Sequence, residues 1–490
     1  MKKRIMINLK RQMKHSLIVC MLFFVMSSFA QDKKWTLREC VDHALENNIS
    51  IKQSGLDLEL SELSKKGAIG NFLPTLSASG SHSWNIGLNQ NITTGLLENQ
   101  TTQFTSIGLS SNVPIYSGLR NINQLHRANL EILASQYRLS DMKDDISLLV
   151  ANSFLQILFN KEQLKVQKAQ YEVTNQELKR GIELVEAGVL PEGDVLELKA
   201  TLASQEQQIV NAENSILLSK INLAQTLLID DYQNFDIVEV EYNVPLTTVL
   251  SQPSKVIIEK AKENRYDLKI AEASVKLADY DLKLAKGSLQ PTLSAFYGYN
   301  TRASYSDRIL GVDRIPDGTN TTIGFVEGTG EAVLSPNFTS TSIIGGPDAL
   351  LDQFSINDGH SFGLSLNIPI FNGFSLKNNV KRNSINLERS KNQLEQANLD
   401  LETEVYQALN DSKGALKAYE AALKTIDARE EAFNYSRERY NIGLLNSFDL
   451  SQSQARFEQA QSDVVRTKYD YIFKLKVLEF YFGIPITNLD

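Results

Sequence analysis

Hydrophobic positions along this chain follow two periods, in separate stretches. From Leu76 to Leu88 the even positions are Leu76, Ala78, Gly80, His82, Trp84, Ile86 and Leu88, and the odd ones are Ser, Asn or Gly. From Phe354 to Ile368 the pattern returns. Phe354, Ile356, His360, Phe362, Leu364, Leu366 and Ile368 face one side, and Ser355, Asn357, Gly359, Ser361, Gly363, Ser365 and Asn367 the other. Segment 293–305 places Leu293, Ala295, Tyr297, Tyr299 and Tyr305 together, and segment 104–113 does so more weakly with Ile107, Leu109 and Val113. A period of two predicts strands. The second period is helical. Leu119 to Arg180 holds neither glycine nor proline, and Leu125, Ala128, Ile132, Leu139, Met142, Ile146 and Leu149 recur at helical spacing. The spacing predicts a helix over 119–187, a rod of roughly 100 Å at about 1.5 Å per residue. Such a rod does not fit inside a compact domain, so it must line something long.

The same plan occurs twice. Glu46-Asn-Asn-Ile-Ser-Ile-Lys52 returns as Glu263-Asn-Arg-Tyr-Asp-Leu-Lys269, and Pro74-Thr-Leu-Ser-Ala78 as Pro291-Thr-Leu-Ser-Ala295, both 217 residues on. Leu109-Ser-Ser-Asn-Val-Pro-Ile-Tyr-Ser-Gly118 returns as Leu364-Ser-Leu-Asn-Ile-Pro-Ile-Phe-Asn-Gly373, 255 residues on. The chain reads as an internal tandem duplication, 31–253 and 254–490, whose second copy carries 38 extra residues between Pro291 and Pro369. Each copy has a helix (37–71; 254–288), two strands (74–113; 291–305 and 353–369), a long helix (119–187; 374–442) and a return helix (192–228; 447–482). Segment 229–253, with Phe235, Ile237, Val238, Val240 and Tyr242, forms an equatorial belt at the junction. All eleven prolines fall at predicted breaks or loops, which fits a cost of about 3 kcal/mol for proline inside a helix. The stretch 306–352, rich in Gly, Thr, Ser, Asn and Asp, reads as a long extracellular loop.

Small polar residues on one strand face and apolar or aromatic residues on the other are the pattern of a transmembrane β-barrel with a wet lumen. A half-buried sheet in a soluble sandwich has a related pattern, and helical heptads alone also fit a coiled coil. Four strands cannot close a barrel, and an open edge is not tolerated in lipid. In a membrane, the chain must therefore share its strands with other copies. A dimer supplies eight and a trimer twelve, and only the larger barrel leaves an open channel.

Composition narrows the picture. Lys2, Lys3, Arg4, Lys10, Arg11 and Lys14 precede the apolar run Leu17–Val25, and Ser28-Phe29-Ala30 is an acceptable cleavage site. Residues 1–30 are thus expected to be a signal peptide, starting at Met1 or Met13. Without them 44 basic residues face 58 acidic ones, a net charge of −14. An acidic exported chain is not expected to bind nucleic acid. No later stretch has 18 consecutive apolar residues. Cys20 lies in the leader and Cys40 is alone after it, so no disulfide framework arises, and Cys40 with His43 is only half a metal site.

The joints Asn112-Val-Pro-Ile-Tyr-Ser-Gly118 and Asn367-Ile-Pro-Ile-Phe-Asn-Gly373 carry a family resemblance. So do the turns Ala187-Gly-Val-Leu-Pro-Glu-Gly-Asp194 and Arg439-Tyr-Asn-Ile-Gly-Leu-Leu-Asn-Ser-Phe-Asp449. From about 36 to 483 the chain resembles the outer-membrane efflux protein (TolC) family. The resemblance implies a mainly α fold with a transmembrane β-barrel portion: a homotrimer whose twelve strands close one barrel in outer-membrane lipid and whose helices form a periplasmic tunnel. It implies a passive exit duct of a tripartite efflux or type I secretion system in a Gram-negative outer membrane. The implied partners are a periplasmic adaptor protein and an inner-membrane pump or ABC exporter. The alternative is a soluble periplasmic coiled-coil scaffold or adaptor.

No enzyme or cofactor is expected. His43, His82, His126 and His360 are scattered, and HExxH, P-loop and nucleophile-elbow motifs are lacking. At the tips, Gly188 and Gly443 suit the positive φ that ends a long helix. Asp194 and Asp449 fall near the first turn of the return helices, where a carboxylate caps the helix or complements its dipole. Three-fold symmetry would bring Asp449 of each copy near the axis, and a carboxylate ring favours cations. The resemblance implies a periplasmic gate in which Asp449 helps form the entrance and Tyr440 constricts it, with Asp194 the matching aspartate of the first repeat. It also implies that Gly188, Val189 and Leu190, with Gly443, Leu444 and Leu445, form the apolar tips that the adaptor grips. Two positions depart from the family: Gln452 replaces a second aspartate, and Leu445 stands where the best-known member has an arginine latch.

Overall fold

The computed structural model describes residues 34–90, 95–239 and 248–484. The expected signal peptide lies outside them, as do Val240, Tyr242 and Pro245 of the equatorial segment. The chain divides into two compact units, Met1–Glu62 with Leu130–Ala278 and Asn386–Asp490, and Leu63–Asn129 with Asp279–Ile385.

In the first unit, strand β1 (Lys34–Trp35) pairs in parallel with β4 (Asp236–Ile237), and helix α1 spans Leu37–Asn47. Helices α3 (Arg120–Glu186), α4 (Glu192–Leu227), α8 (Ser375–Asn441) and α9 (Ser447–Phe482) lie close to their expected bounds, and α8 runs unbroken through Gly414. One core joins Leu37, Cys40, Val41 and Ala44 of α1 to Val150, Phe154 and Ile157 of α3, Leu223 and Leu227 of α4, and Ile472 of α9. Cys40 is part of this apolar packing, and His43 sets its ring edge-on to Trp35 at 5.2 Å. The equatorial segment is held by charge as well. Lys161 and Lys220 both reach Asp236 Oδ1, at 2.7 and 2.9 Å.

The expected helices 37–71 and 254–288 are each two helices: α1 and α2 (Ile49–Gly70), and α5 (Ser254–Asn264) and α6 (Tyr266–Gly287). The breaks at Asn48 and Arg265 fall inside the repeated Glu-Asn motif, where ψ swings to 135° and 128°. Side-chain bonding takes over at both points. Asn48 Nδ2 donates to the Thr226 carbonyl and its Oδ1 accepts from Ser50 N. Arg265 sits over the ring of Phe480 at 4.9 Å and donates to Asp267 at 3.0 Å.

Asp141 lies 3.9 Å from Arg265. Burial, reinforced by Asp145 and opposed by Arg265, pushes its carboxyl up to about 6 from 3.8. The folded pKa is raised, so the native state binds the proton more tightly than the unfolded chain. The cost of ionising Asp141 is present above pH 6 and is relieved as pH falls towards the unfolded value. Asp141→Asn should raise the melting temperature at about pH 8 and lose that advantage by about pH 4. Thermal melts at the two values test this, and an equal effect at both would exclude the ionisation.

The second unit holds one antiparallel sheet in the order β2 (Thr75–Gln90), β3 (Leu97–Ser117), β5 (Thr292–Ser304), β8 (Gly359–Asn367). Opposed residues share a face, so the register decides whether the four alternating patterns agree. They do. Ala78 pairs with Leu109, Leu109 with Tyr299, and Tyr299 with His360. One face therefore collects Leu76, Trp84, Ile86, Leu88, Ile107, Tyr297, Phe362, Leu364 and Leu366, all solvent-exposed in the isolated chain. The opposite face pairs Ser77 with Ser110, Ser81 with Ser106, Ser110 with Gly298, and Ser294 with Ser365.

Two expectations here are corrected. Residues 353–358 are not strand, because Leu350–Ile356 forms helix α7. Gln353 exchanges two hydrogen bonds with the Ser304 backbone, and Thr301 Oγ1 donates to the Phe354 carbonyl, so a helix rather than a strand closes this end of β5. Segment 306–352, expected as a long loop, has regular structure of its own. It contains the antiparallel hairpin of β6 (Arg308–Phe325) and β7 (Ala332–Gly345). Register shifts at Ile309/Gly311, Pro316/Asn320 and Thr322/Gly324 interrupt its alternation.

Candidate functional site

The two long helices, α3 and α8, end alike. Gly188 and Gly443 take φ +72° and +74°. Gly188 N donates to the Val185 carbonyl and Val189 N to that of Leu184, and Gly443 and Leu444 repeat this on Tyr440 and Arg439. This is the Schellman closure, which uses up carbonyls that a helix end would leave orphaned. The return helices start differently. Pro191 precedes α4 without a side-chain cap, whereas the Asn446 side chain accepts from Asp449 N at the start of α9. Asp194 and Asp449 are thus first-turn residues, placed to complement the helix dipole, and neither is the cap.

The two turns adjoin: a side-chain carbon placed on Gly443 would lie 3.9 Å from Val189 Cγ1. Behind them Phe433, Tyr440 and Leu450 form a small core, against which Val173, Leu190, Leu445 and Phe457 pack. Phe433 and Phe457 stack at 5.7 Å. Six expected docking residues therefore divide into two sets. Leu190 and Leu445 turn partly inward, while Gly188, Val189, Gly443 and Leu444 stand exposed. Ile442 and Phe448, which the motifs did not single out, are exposed beside them at 69% and 62%.

Of the expected gate residues, Asp194 is bonded across the two hairpins, accepting from Ser447 Oγ at 2.7 Å. Tyr440 is fully buried, and among the described residues its hydroxyl has no hydrogen-bond partner. Burial, with Asp194 and Glu177 nearby, pushes that phenol up to about 12. Asp449 is exposed. Further along the shaft, buried Gln454 donates to Thr174 Oγ1 at 2.6 Å and Glu458 Oε1 at 2.8 Å, and Gln205 donates to the same oxygen at 2.7 Å. Ser447 was not legible from the motifs, because its bond spans 253 positions. Asn446 was: Asn-Ser-Phe-Asp before a helical run is an N-cap signal. Among the described residues no cluster of His, Cys, Asp and Glu is suited to a metal ion, and no helix is long and apolar enough to cross a membrane.

The chain and its fold have relatives among known proteins. The chain matches the model of the outer membrane efflux protein family over residues 40–227 and 257–483. No individually curated protein matches it in sequence. In structure it resembles the outer membrane protein VceC of Vibrio cholerae, with TM-score 0.71 and 15% identity over 92% of this chain and 96% of that one. It also resembles the CmeC outer membrane channel of Campylobacter jejuni, with TM-score 0.70 and 16% identity over 91% and 85% of the two chains. The open-state MtrE outer membrane channel of Neisseria gonorrhoeae gives TM-score 0.67 and 18% identity over 92% and 89%. At these identities the solved structures speak for the fold, and the family match speaks for the lineage: the chain belongs to the outer membrane efflux protein family.

Proposed function

We propose that this chain is one of three copies forming a passive exit duct that carries substrates from an inner-membrane transporter across the periplasm and out through the outer membrane. The observation that carries the reading is the two-faced open sheet. Its exposed Leu, Ile, Phe and Trp side chains suit hydrocarbon, its Ser, Gly and Asn face suits water, and its outer strands β2 and β8 await partners. Three copies supply twelve strands, enough for a barrel with an open lumen. A soluble scaffold is not favoured, since it would leave that apolar face in water.

In this reading residues 1–30 direct export, and the adaptor grips the exposed apolar tips around Val189, Leu444 and Phe448. Asp194 and Asp449, with the buried ring of Tyr440 packed behind the tips, hold the periplasmic entrance shut until it docks. The driving force comes from the transporter, in keeping with CmeC and MtrE, which are outer membrane channels.

The native mass of the detergent-extracted mature protein, with electron microscopy of the same sample, tests the assembly. Three chains carrying a detergent belt, in a particle at least as long as the roughly 100 Å of a 67-residue helix, are expected. A monomer or dimer soluble without detergent would overturn the duct.

A further inference from the structure

Charge is nearly absent from the four strands of the sheet. Only Glu98 and Arg302 carry it. Both stand on the serine face, Arg302 opposite Ser106 and Glu98 opposite Asn89. Ser106 and Glu98 are eight residues apart on one strand, roughly 27 Å at about 3.4 Å per residue, so the two charges do not neutralise each other. Among the described residues no carboxylate forms an ion pair with Arg302.

Its partner is an aromatic ring instead. The Arg302 guanidinium lies over Phe104, with Cζ 3.5 Å from the ring centroid. Phe104 pairs with Ser304 and so stands diagonal to Arg302 on the same face. The Arg302 carbonyl accepts from Asn357 Nδ2 at 2.8 Å, which fixes the backbone at this point. Stacking of this kind orients a guanidinium while leaving its charge intact and its N–H edge open to an incoming acceptor. A carboxylate would have cancelled the charge.

We propose that Arg302, braced on Phe104, is a selectivity element of the barrel lumen: one arginine from each of three copies forms a ring that favours anionic solutes such as carboxylates and phosphates. This rests on reading the serine face as the lumen of a shared barrel. A ring of arginines in a narrow wet pore raises the local concentration of anions. The mature chain as a whole, at net charge −14, works the other way, so the ring is the feature that lets negatively charged cargo pass an otherwise acidic duct.

Reversal potentials across a KCl gradient in planar bilayers test this on the full mature protein. Arg302→Gln should raise the potassium-to-chloride permeability ratio by about twofold or more. Arg302→Lys should keep the wild-type ratio, and Phe104→Leu should fall between, because the charge remains but its platform is gone. Added inorganic tripolyphosphate should block the wild-type channel, a readout that needs no variant to assemble. Wild-type selectivity in Arg302→Gln channels, or failure of tripolyphosphate to block, overturns the ring and leaves the duct standing. A wild type that forms no channel at all overturns the duct, and the ring with it.

Discussion

Alanine at both Asp194 and Ser447 raises single-channel conductance in planar bilayers several-fold over wild type. This is the expected result if the bond between these side chains holds the tip closed. It is a hydrogen bond to a carboxylate at 2.7 Å, and it ties the start of the first return helix to the start of the second. Such bonds contribute about 1.5–3 kcal/mol each. Three copies acting together amount to about 6 kcal/mol, which matches the about 5.5 kcal/mol that moves a two-state element from 1:99 to 99:1. Tyr440→Phe is the informative control. The Tyr440 hydroxyl is buried without a hydrogen-bond partner among the described residues, so its removal should leave conductance at the wild-type level and slightly raise thermal stability. Unchanged conductance in the double alanine variant would assign the closed state to other contacts.

Gly118→Ala should abolish the heat-resistant oligomer on unboiled gels, whereas Gly373→Ala should lower its melting temperature only modestly. The two glycines occupy matching joints between a strand and a long helix, with φ +67° and +62°, and each is followed by a left-handed residue, Leu119 or Phe374. The left-handed conformation costs an alanine about 1–2 kcal/mol at either site. Their surroundings differ. A side-chain carbon on Gly118 would collide with the Gly287 carbonyl oxygen, a backbone atom that cannot swing aside, while Gly373 faces open space. Gly118→Ala must therefore push the two backbones away from each other, a strain of the kind that reaches about 4 kcal/mol or more. Equal melting temperatures for the two variants would show that the crossing at Gly287 is not tight.

Legibility followed the range of the interactions involved. The long helices were plain because one period of 3.6 runs for many turns, and no glycine or proline interrupts 119–180. The sheet faces were legible strand by strand, since side chains alternate with period two whatever the partner. The register that brings Ala78, Leu109, Tyr299 and His360 to one face was not, because it joins residues 31, 190 and 61 positions apart. The hairpin 308–345 escaped notice for another reason. Three register shifts scramble the alternation that would have announced it. Helix 350–356 was hidden in an apparent alternation, and only the contact of Gln353 with Ser304 decides its form. At the tips the motifs located the turns correctly. Which leucines point inward, and that Ser447 answers Asp194, depend on four helices meeting.

The unpaired outer strands of the sheet also bear on how such a protein is made. A single copy entering lipid would carry two rows of unsatisfied amides, each group costing several kcal/mol in hydrocarbon. Insertion and association must then be one event, with no stable embedded intermediate. The yield of finished pores should climb more steeply than the supply of newly exported chains. One defective copy should spoil every assembly it enters, so a damaged allele at this locus would act dominantly over an intact one.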